Sequence, residues 1–200
     1  DRVEKNRQFR LRSNREATKK LAQNPTLFGE IRQPNNDYII IPKVSSENRK
    51  YIPIGIISPS IIASGSCLIV PKANLYTFGI LTSIMHMTWM KITCGRMKSD
   101  YQYSASIVYN NFPWPTPTDA QKAKIEQTAQ AILDARALYP DSSLAELYDE
   151  VLMPPELIRA HQANDRAVMA AYGFTKGTPE FSSESACVAS LMRMYQELTK

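Results

Sequence analysis

Glycine is scarce in this 200-residue chain: the seven that exist are scattered, so there is no material for a glycine-rich loop that cradles phosphates. Cysteine is scarcer still. Cys67, Cys94 and Cys187 stand apart with no CxxC spacing, an odd set that suits unpaired thiols in a reducing cytoplasm and excludes a disulfide-stapled scaffold. The two histidines, His86 and His161, are too few and too far apart to signal a zinc site, and no local signature marks a Cys–His nucleophile pair. No run reaches the ~18 apolar residues of a membrane span. The nearest approach, Leu75 to Ile92, is interrupted by Thr, Ser, Gly and His86 and reads as buried helix. The chain opens at Asp1 with neither Met nor a signal-like segment, and reads as a piece of a longer protein.

What is present is ordinary globular composition, 44% apolar and 22% charged, but with uneven charge. Residues 1–20 hold eight Lys/Arg against three Asp/Glu. Residues 1–100 carry a clear positive excess, whereas residues 101–150 hold seven acidic residues against three basic. A polyanion-facing half joined to a neutral or acidic half fits that asymmetry, as does a basic helix with solvated charge.

Residues 1–23 read as one helix, with a loose stripe of Phe9, Leu11, Ala17 and Leu21, ended by Asn24-Pro25. Three β-like runs follow, Tyr38–Ile41, Tyr51–Ile57 and Cys67–Val70, separated by polar turns and limited by prolines 42, 53, 59 and 71. Asn74 is placed to cap a long buried helix reaching about Thr93, with Phe78, Leu81, Met85, Trp89 and Ile92 at helical spacing. Ile107–Tyr109 reads as a further strand. Three prolines between 113 and 117 form a stiff boundary, since proline suits neither a helix interior nor a central strand. Beyond it, helices begin at Thr118 or Asp119, at the Ser143-x-x-Glu146 capping box, at Pro154-Pro155 and at Ser182 or Ser183. The expected class is α+β: a small, mainly antiparallel sheet with a long buried helix, then an all-helical domain. Residues 1–115 form the first domain, opened by a basic helix over 1–24, and residues 116–200 the second.

One segment carries chemistry. Over Arg96–Gln102 an extended backbone would place Arg96, Lys98, Asp100 and Gln102 on one face. A lysine suits guanine O6/N7 and an aspartate accepts from cytosine N4, so Lys98 and Asp100 are candidates to read the two halves of one G·C pair. An exposed edge strand with alternating charge has the same spacing. Ser45, Ser46, Arg49 and Lys50 are candidate phosphate contacts, or a solvated turn; Ser64 and Ser66 flank Gly65 in a loop able to approach a base edge, or only a turn. Asn110-Asn-Phe-Pro-Trp114 superficially suggests the motif by which amino-methylating enzymes hold an extruded base, but its proline is displaced and the proline pair is missing. It reads as a turn with packed aromatics.

Taken in order, Arg10-Leu11, Pro25-Thr-Leu-Phe-Gly29, the Ser45-Ser46 turn, Tyr51-Ile-Pro-Ile-Gly55, His86-Met-Thr-Trp-Met90, Gly95-Arg-Met-Lys-Ser-Asp-Tyr-Gln-Tyr-Ser104, Tyr109-Asn-Asn-Phe-Pro-Trp-Pro115, Ile132-Leu-Asp-Ala-Arg-Ala-Leu-Tyr-Pro140 and Met153-Pro-Pro-Glu-Leu157 resemble the C-terminal third of the MmeI-like DNA methyltransferases, a group that includes single-chain type IIL restriction–modification enzymes. The resemblance implies a target-recognition domain followed by a helical C-terminal domain. It further implies that the positions of Lys98 and Asp100 read one base pair, and that Gln102, where the family often has arginine, reads another with the Ser64–Ser66 loop. Arg96 is expected among the phosphate anchors. An upstream domain of the parent would bind S-adenosylmethionine and methylate adenine N6, some members adding a nuclease. This chain itself has no catalytic motif and no cofactor site.

The expected function is thus sequence-specific recognition of double-stranded DNA for a cytoplasmic bacterial methyltransferase, with the methyltransferase domain of the same chain as partner and no membrane. The other reading is an assembly module that docks on the parent's other domains without base-specific contacts. The acidic 116–150 segment suits that role for the second half.

Overall fold

The computed structural model describes all 200 residues, which divide into two compact units, Asp1–Gln33 and Pro34–Lys200. The first unit corrects the single basic helix over 1–24. Helix α1 (Arg2–Leu11) is capped by Asp1, whose carboxylate accepts from Val3 N–H, and the chain then turns into α2 (Glu16–Lys20) and a 3₁₀ turn at Leu21–Gln23. Ser13 stabilises the break by accepting from Arg15 N–H at 3.1 Å. Arg10 holds the unit closed, since its guanidinium donates to the carbonyls of Leu21, Asn24 and Leu27 at 2.8, 2.8 and 2.6 Å. The apolar stripe has little to cover it within this unit, and Phe9 is 75% exposed.

The second unit holds two small antiparallel sheets. The β-branched run of β1 (Tyr38–Pro42) is the centre of the first, flanked by β3 (Gly55–Ile57) and β4 (Cys67–Val70). The register is Tyr38 with Ile57 and Ile39 with Val70. Tyr51–Ile54, expected as part of a strand, is buried irregular chain. The second sheet has β6 (Asp100–Gln102) between β2 (Val44–Ser45) and β5 (Gly95–Met97).

The long buried helix is two helices. Asn74 caps α3 (Leu75–Leu81) as expected, accepting from Thr77 N–H at 2.8 Å, but α3 stops at Thr82 and α4 (Ile84–Thr93) restarts with Ser83 as its cap. At the break, the side chains of Thr82 and Ser83 turn back to donate to the carbonyls of Phe78 and Ile80, both at 2.7 Å. Ile107–Tyr109 is not a strand but belongs to one π-helical turn, Ala105–Tyr109, capped by Ser104.

The helical portion starts where its caps stand. α5 (Asp119–Ala137) and α6 (Leu144–Leu147) open with complete capping boxes, Thr118/Gln121 and Ser143/Glu146. α7 (Pro155–Ala171) begins with proline in its first turn, and α8 (Pro179–Ser182) precedes α9 (Glu184–Leu198), capped by Ser183. One buried cluster joins Ile39, Ile54, Phe78, Met85 and Trp89 to Ile125, Ile132, Leu157, Val168 and Leu191, so packing runs continuously across the proline-rich segment. Gly79 lets α3 approach α5 closely: a Cβ there would stand 2.8 Å from Ile125 Cγ2 and 3.1 Å from Ala129 Cβ. The 110–114 aromatics are packed, with Phe112 edge-on to His86 and Trp114. No helix is long and apolar enough to cross a membrane.

Candidate nucleic-acid interface

The segment read as one extended face is a tight hairpin. β5 and β6 pair Gly95 with Gln102, Arg96 with Tyr101 and Met97 with Asp100, leaving Lys98-Ser99 as a two-residue loop. Chain reversal overturns the alternation argument: residues paired across an antiparallel ribbon share a face. Asp100 and Gln102 therefore stand with Met97 and Gly95, while Arg96 lies on the opposite face with Tyr101. Arg96 stacks on the Tyr101 ring at 4.2 Å, donates to the Ser99 carbonyl at 2.8 Å and meets Glu47 at 3.6 Å. These contacts tie the guanidinium, expected among the phosphate anchors, to the hairpin and to Glu47.

Lys98 has φ +57°, the left-handed region, and only the first loop residue does, as in a type II′ hairpin where glycine is the usual occupant. A side chain there costs about 1–2 kcal/mol. Lys98 and Gln102 are exposed and Asp100 half-buried. Gly95 leaves room across the ribbon for Gln102, whose Oε1 would be 3.4 Å from an added Cβ. Beneath the ribbon lie the buried Tyr101 and Tyr103, the latter hydrogen-bonded through its hydroxyl to His86 Nε2 at 2.8 Å. Burial drives the His86 pKa down to about 3, so this support stays neutral. Burial also pushes the Cys94 thiol at the hairpin root upward, against the opposing influence of Arg96.

The Ser64–Ser66 loop is brought to the same sheet by Lys43, which sequence reasoning passed over. Lys43 N–H donates to the Ser66 carbonyl (2.9 Å), its ammonium to the Gly65 carbonyl (2.7 Å), and its own carbonyl accepts from Tyr103 N–H (2.8 Å). Val44, next in the chain, pairs with Gln102. Pro42 ends one sheet and Lys43 starts the passage to the other, so the loop and Gln102 flank a single backbone bridge. The only sequence signal was the proline stop. Ser64 and Ser66 hydroxyls bond each other, and a Cβ on Gly65 would meet nothing within 4 Å.

The phosphate candidates divide. Ser46 forms the turn, its carbonyl accepting from Arg49 N–H, and Arg49 and Lys50 follow it. Lys50 lies over the Tyr51 ring at 5.6 Å. Ser45 is corrected: paired with Tyr101, it is 4% exposed, with its Oγ buried and unpartnered, out of reach of a surface phosphate. No three His, Cys, Asp or Glu side chains converge as a metal site would require.

Residues 1–116 match the family model described as "MmeI, target recognition domain", and residues 117–200 the one described as "MmeI, C-terminal domain". DNA methyltransferase A of Bacillus subtilis (strain 168) is 39% identical over all 200 residues, which cover 22% of its length. A solved structure of the type IIL restriction–modification enzyme MmeI in complex with DNA matches at a TM-score of 0.89 and 46% identity, over 99% of this chain and 26% of that one. The chain thus spans about a quarter or less of the relatives it matches.

Proposed function

The chain belongs to the MmeI family, combining its target recognition and C-terminal domains, and from that premise we propose that it is the DNA-reading part of a larger site-specific adenine-N6 methyltransferase of a restriction–modification system. The observation that carries the reading is the hairpin tip: a lysine held in a costly left-handed conformation, exposed, with neither the Lys98 nor the Asp100 side chain given a hydrogen bond or ion pair by the protein. Backbone strain clusters at binding sites; exposed Lys72 carries the same strain (φ +58°), so the strain supports this reading together with the exposed, unpaired side chains rather than alone. A two-stranded ribbon also has the width that the DNA major groove admits. Lys98 donates to guanine and Asp100 accepts from the paired cytosine, while Gln102 and the Ser64–Ser66 loop read a neighbouring pair. Arg49, Lys50 and Ser46 hold phosphates; Arg96 braces the ribbon behind them.

The more enclosed apolar cavity, about 250 Å³ beside β4, is lined by Ile41, Leu68, Val70, Tyr103 and Tyr109 among others and offers no carboxylate for ribose hydroxyls. In this reading S-adenosylmethionine binding and methyl transfer belong to other parts of the parent, working in the bacterial cytoplasm, in keeping with the 22% of DNA methyltransferase A that this chain covers. Docking on that methyltransferase domain accounts for exposed apolar side chains such as Val151 (85% exposed) and Leu152 in the helical half. Base reading and docking coexist.

The test is an exchange of the pair. With Lys98→Glu and Asp100→Arg in the full-length enzyme, methylation sequencing is expected to show one changed position in the modified site. An unchanged motif refutes the assignment. Direct contacts of this kind discriminate by ~1–3 kcal/mol, roughly fivefold to over a hundredfold.

A further inference from the structure

The joint between α3 and α4 is held from the helical half. Where one helix stops and the next starts, the last carbonyls and first N–H groups lose their intrahelical partners. The Gly79 carbonyl, in the last turn of α3, accepts from Asn164 Nδ2 at 2.8 Å. The Ile84 N–H, first of α4, donates to Asp165 Oδ1 at 2.7 Å. Asn164 and Asp165 are consecutive, buried residues of α7. Asp165 is fixed in turn by the Tyr51 hydroxyl, which donates to Oδ2 at 2.6 Å, and Tyr51 stacks on His161, one turn back along α7, at 4.1 Å between centroids. The His161 Nε2 meets the Tyr148 hydroxyl at 2.6 Å, and Arg136 Nε donates to that hydroxyl at 3.0 Å. Two adjacent α7 side chains thus clamp both sides of the joint, backed by Arg136 of α5 and by Tyr148, which follows α6.

We infer that Asp165 is a positioning residue for base reading: by fixing the joint it sets the axis of α4 and, through Cys94, the placement of the hairpin that carries Lys98, Asp100 and Gln102. The inference rests on the reading that this hairpin contacts base edges. Its geometry is that of a lever. The Trp89 indole donates to the Val108 carbonyl at 3.0 Å and pins the middle of α4. Five residues separate Trp89 from Ile84, and five separate it from Cys94, about 7.5 Å of rise on each side. A shift of about 1 Å at the joint therefore moves the hairpin root by about 1 Å in the opposite sense, given that rise. Recognition geometry tolerates only about 0.5 Å. The helical half, which holds no base-reading candidate, acts on specificity from within the core.

The test uses the full-length enzyme and Kd values, by fluorescence anisotropy, for a duplex carrying the methylated site and one lacking it, at a temperature where circular dichroism shows each variant folded. Asp165→Leu removes the acceptor at similar volume; Asp165→Asn keeps an oxygen for Ile84. Asp165→Leu is expected to lower the ratio of the two Kd values at least tenfold while changing the non-specific Kd less than twofold, and Asp165→Asn to retain most of the ratio. An unchanged ratio in folded Asp165→Leu, or equal losses in both variants, overturns the inference, because a merely structural role lowers stability without selective loss. Should Asp165→Leu fail to fold, Asn164→Ala, which frees the Gly79 carbonyl across the joint, takes its place with the same expectation and the same refuting result. A Lys98→Ala/Asp100→Ala variant is measured alongside. If it keeps the ratio, the hairpin reading itself fails. If it loses the ratio while the joint variant keeps it, only the positioning role fails.

Discussion

Acid should destabilise this fold through its two histidines, and the size of the effect follows from their burial. His86 and His161 are both fully buried, His86 with an unpartnered Nδ1, and burial lowers both pKa values from 6.5 to about 3. For His161 the nearby Arg136 charge adds to the lowering. The unfolded chain therefore binds protons first: the stability these groups contribute is present above pH 6.5 and is lost as pH falls toward 3. Between pH 7 and pH 5 the loss is roughly 2 kcal/mol for each histidine. Asp165 opposes it. Burial raises its pKa from 3.8 to about 6, so its folded form gains the proton first and recovers roughly 1 kcal/mol over the same interval. The net expectation is a loss of about 2–3 kcal/mol, a large share of a typical stability. Glu146, Glu156 and Glu180, held below the usual carboxylate range chiefly by backbone N–H groups, matter only at lower pH. Urea unfolding of the 200-residue chain at pH 7 and pH 5 measures the difference. His86→Gln keeps a polar group facing Tyr103 but cannot titrate, so its loss should be smaller by about 2 kcal/mol. A flat wild-type stability, or an equally steep loss in His86→Gln, would refute the reasoning.

Four further outcomes follow from the interface and the core. Lys98→Gly should raise stability by about 1 kcal/mol in urea unfolding, by relieving the left-handed backbone, while reducing discrimination between sites in binding assays. Gly65→Ala meets open space and no positive φ, so its unfolding curve should match wild type; cognate binding should fall if the loop approaches a base edge as closely as proposed. Gly79→Ala places a methyl against Ile125 and Ala129 and should cost roughly 1–3 kcal/mol of stability, read as a lower urea midpoint. Arg49→Ala should weaken binding to all DNA sequences alike and lower the salt slope by about 1, whereas a selective loss would move Arg49 into the base-reading group.

Local chemistry made much of the fold legible. The Thr118 and Ser143 capping boxes, the Asn74 cap, Pro155 at a helix start and the β-branched runs of β1 and β4 each satisfy or restrict backbone within a few residues. The base-reading candidates also came from the sequence, but for a geometric reason that the structure replaces. A strict alternation looks the same whether the chain runs straight or reverses at Lys98-Ser99, and a lysine at a glycine-type position hides the turn. Ser45 belongs to a turn-like polar stretch, yet pairing with Tyr101 turns it inward.

By itself, then, the sequence determined the β1 and β4 runs, the helix starts at Asn74, Thr118, Ser143 and Pro155, which half is basic, and which family signature the motifs compose. These rest on interactions that span a few residues. Only the tertiary structure decided that the long apolar helix breaks at Thr82-Ser83, that Lys43 ties the Ser64–Ser66 loop to the strand that pairs with Gln102, and that Asp165 accepts from the first N–H of α4 at that break. The reason is physical: the carboxylate that accepts from Ile84 lies 81 residues away in the chain, and no local pattern encodes a hydrogen bond that exists only once the helical half has packed against α3 and α4.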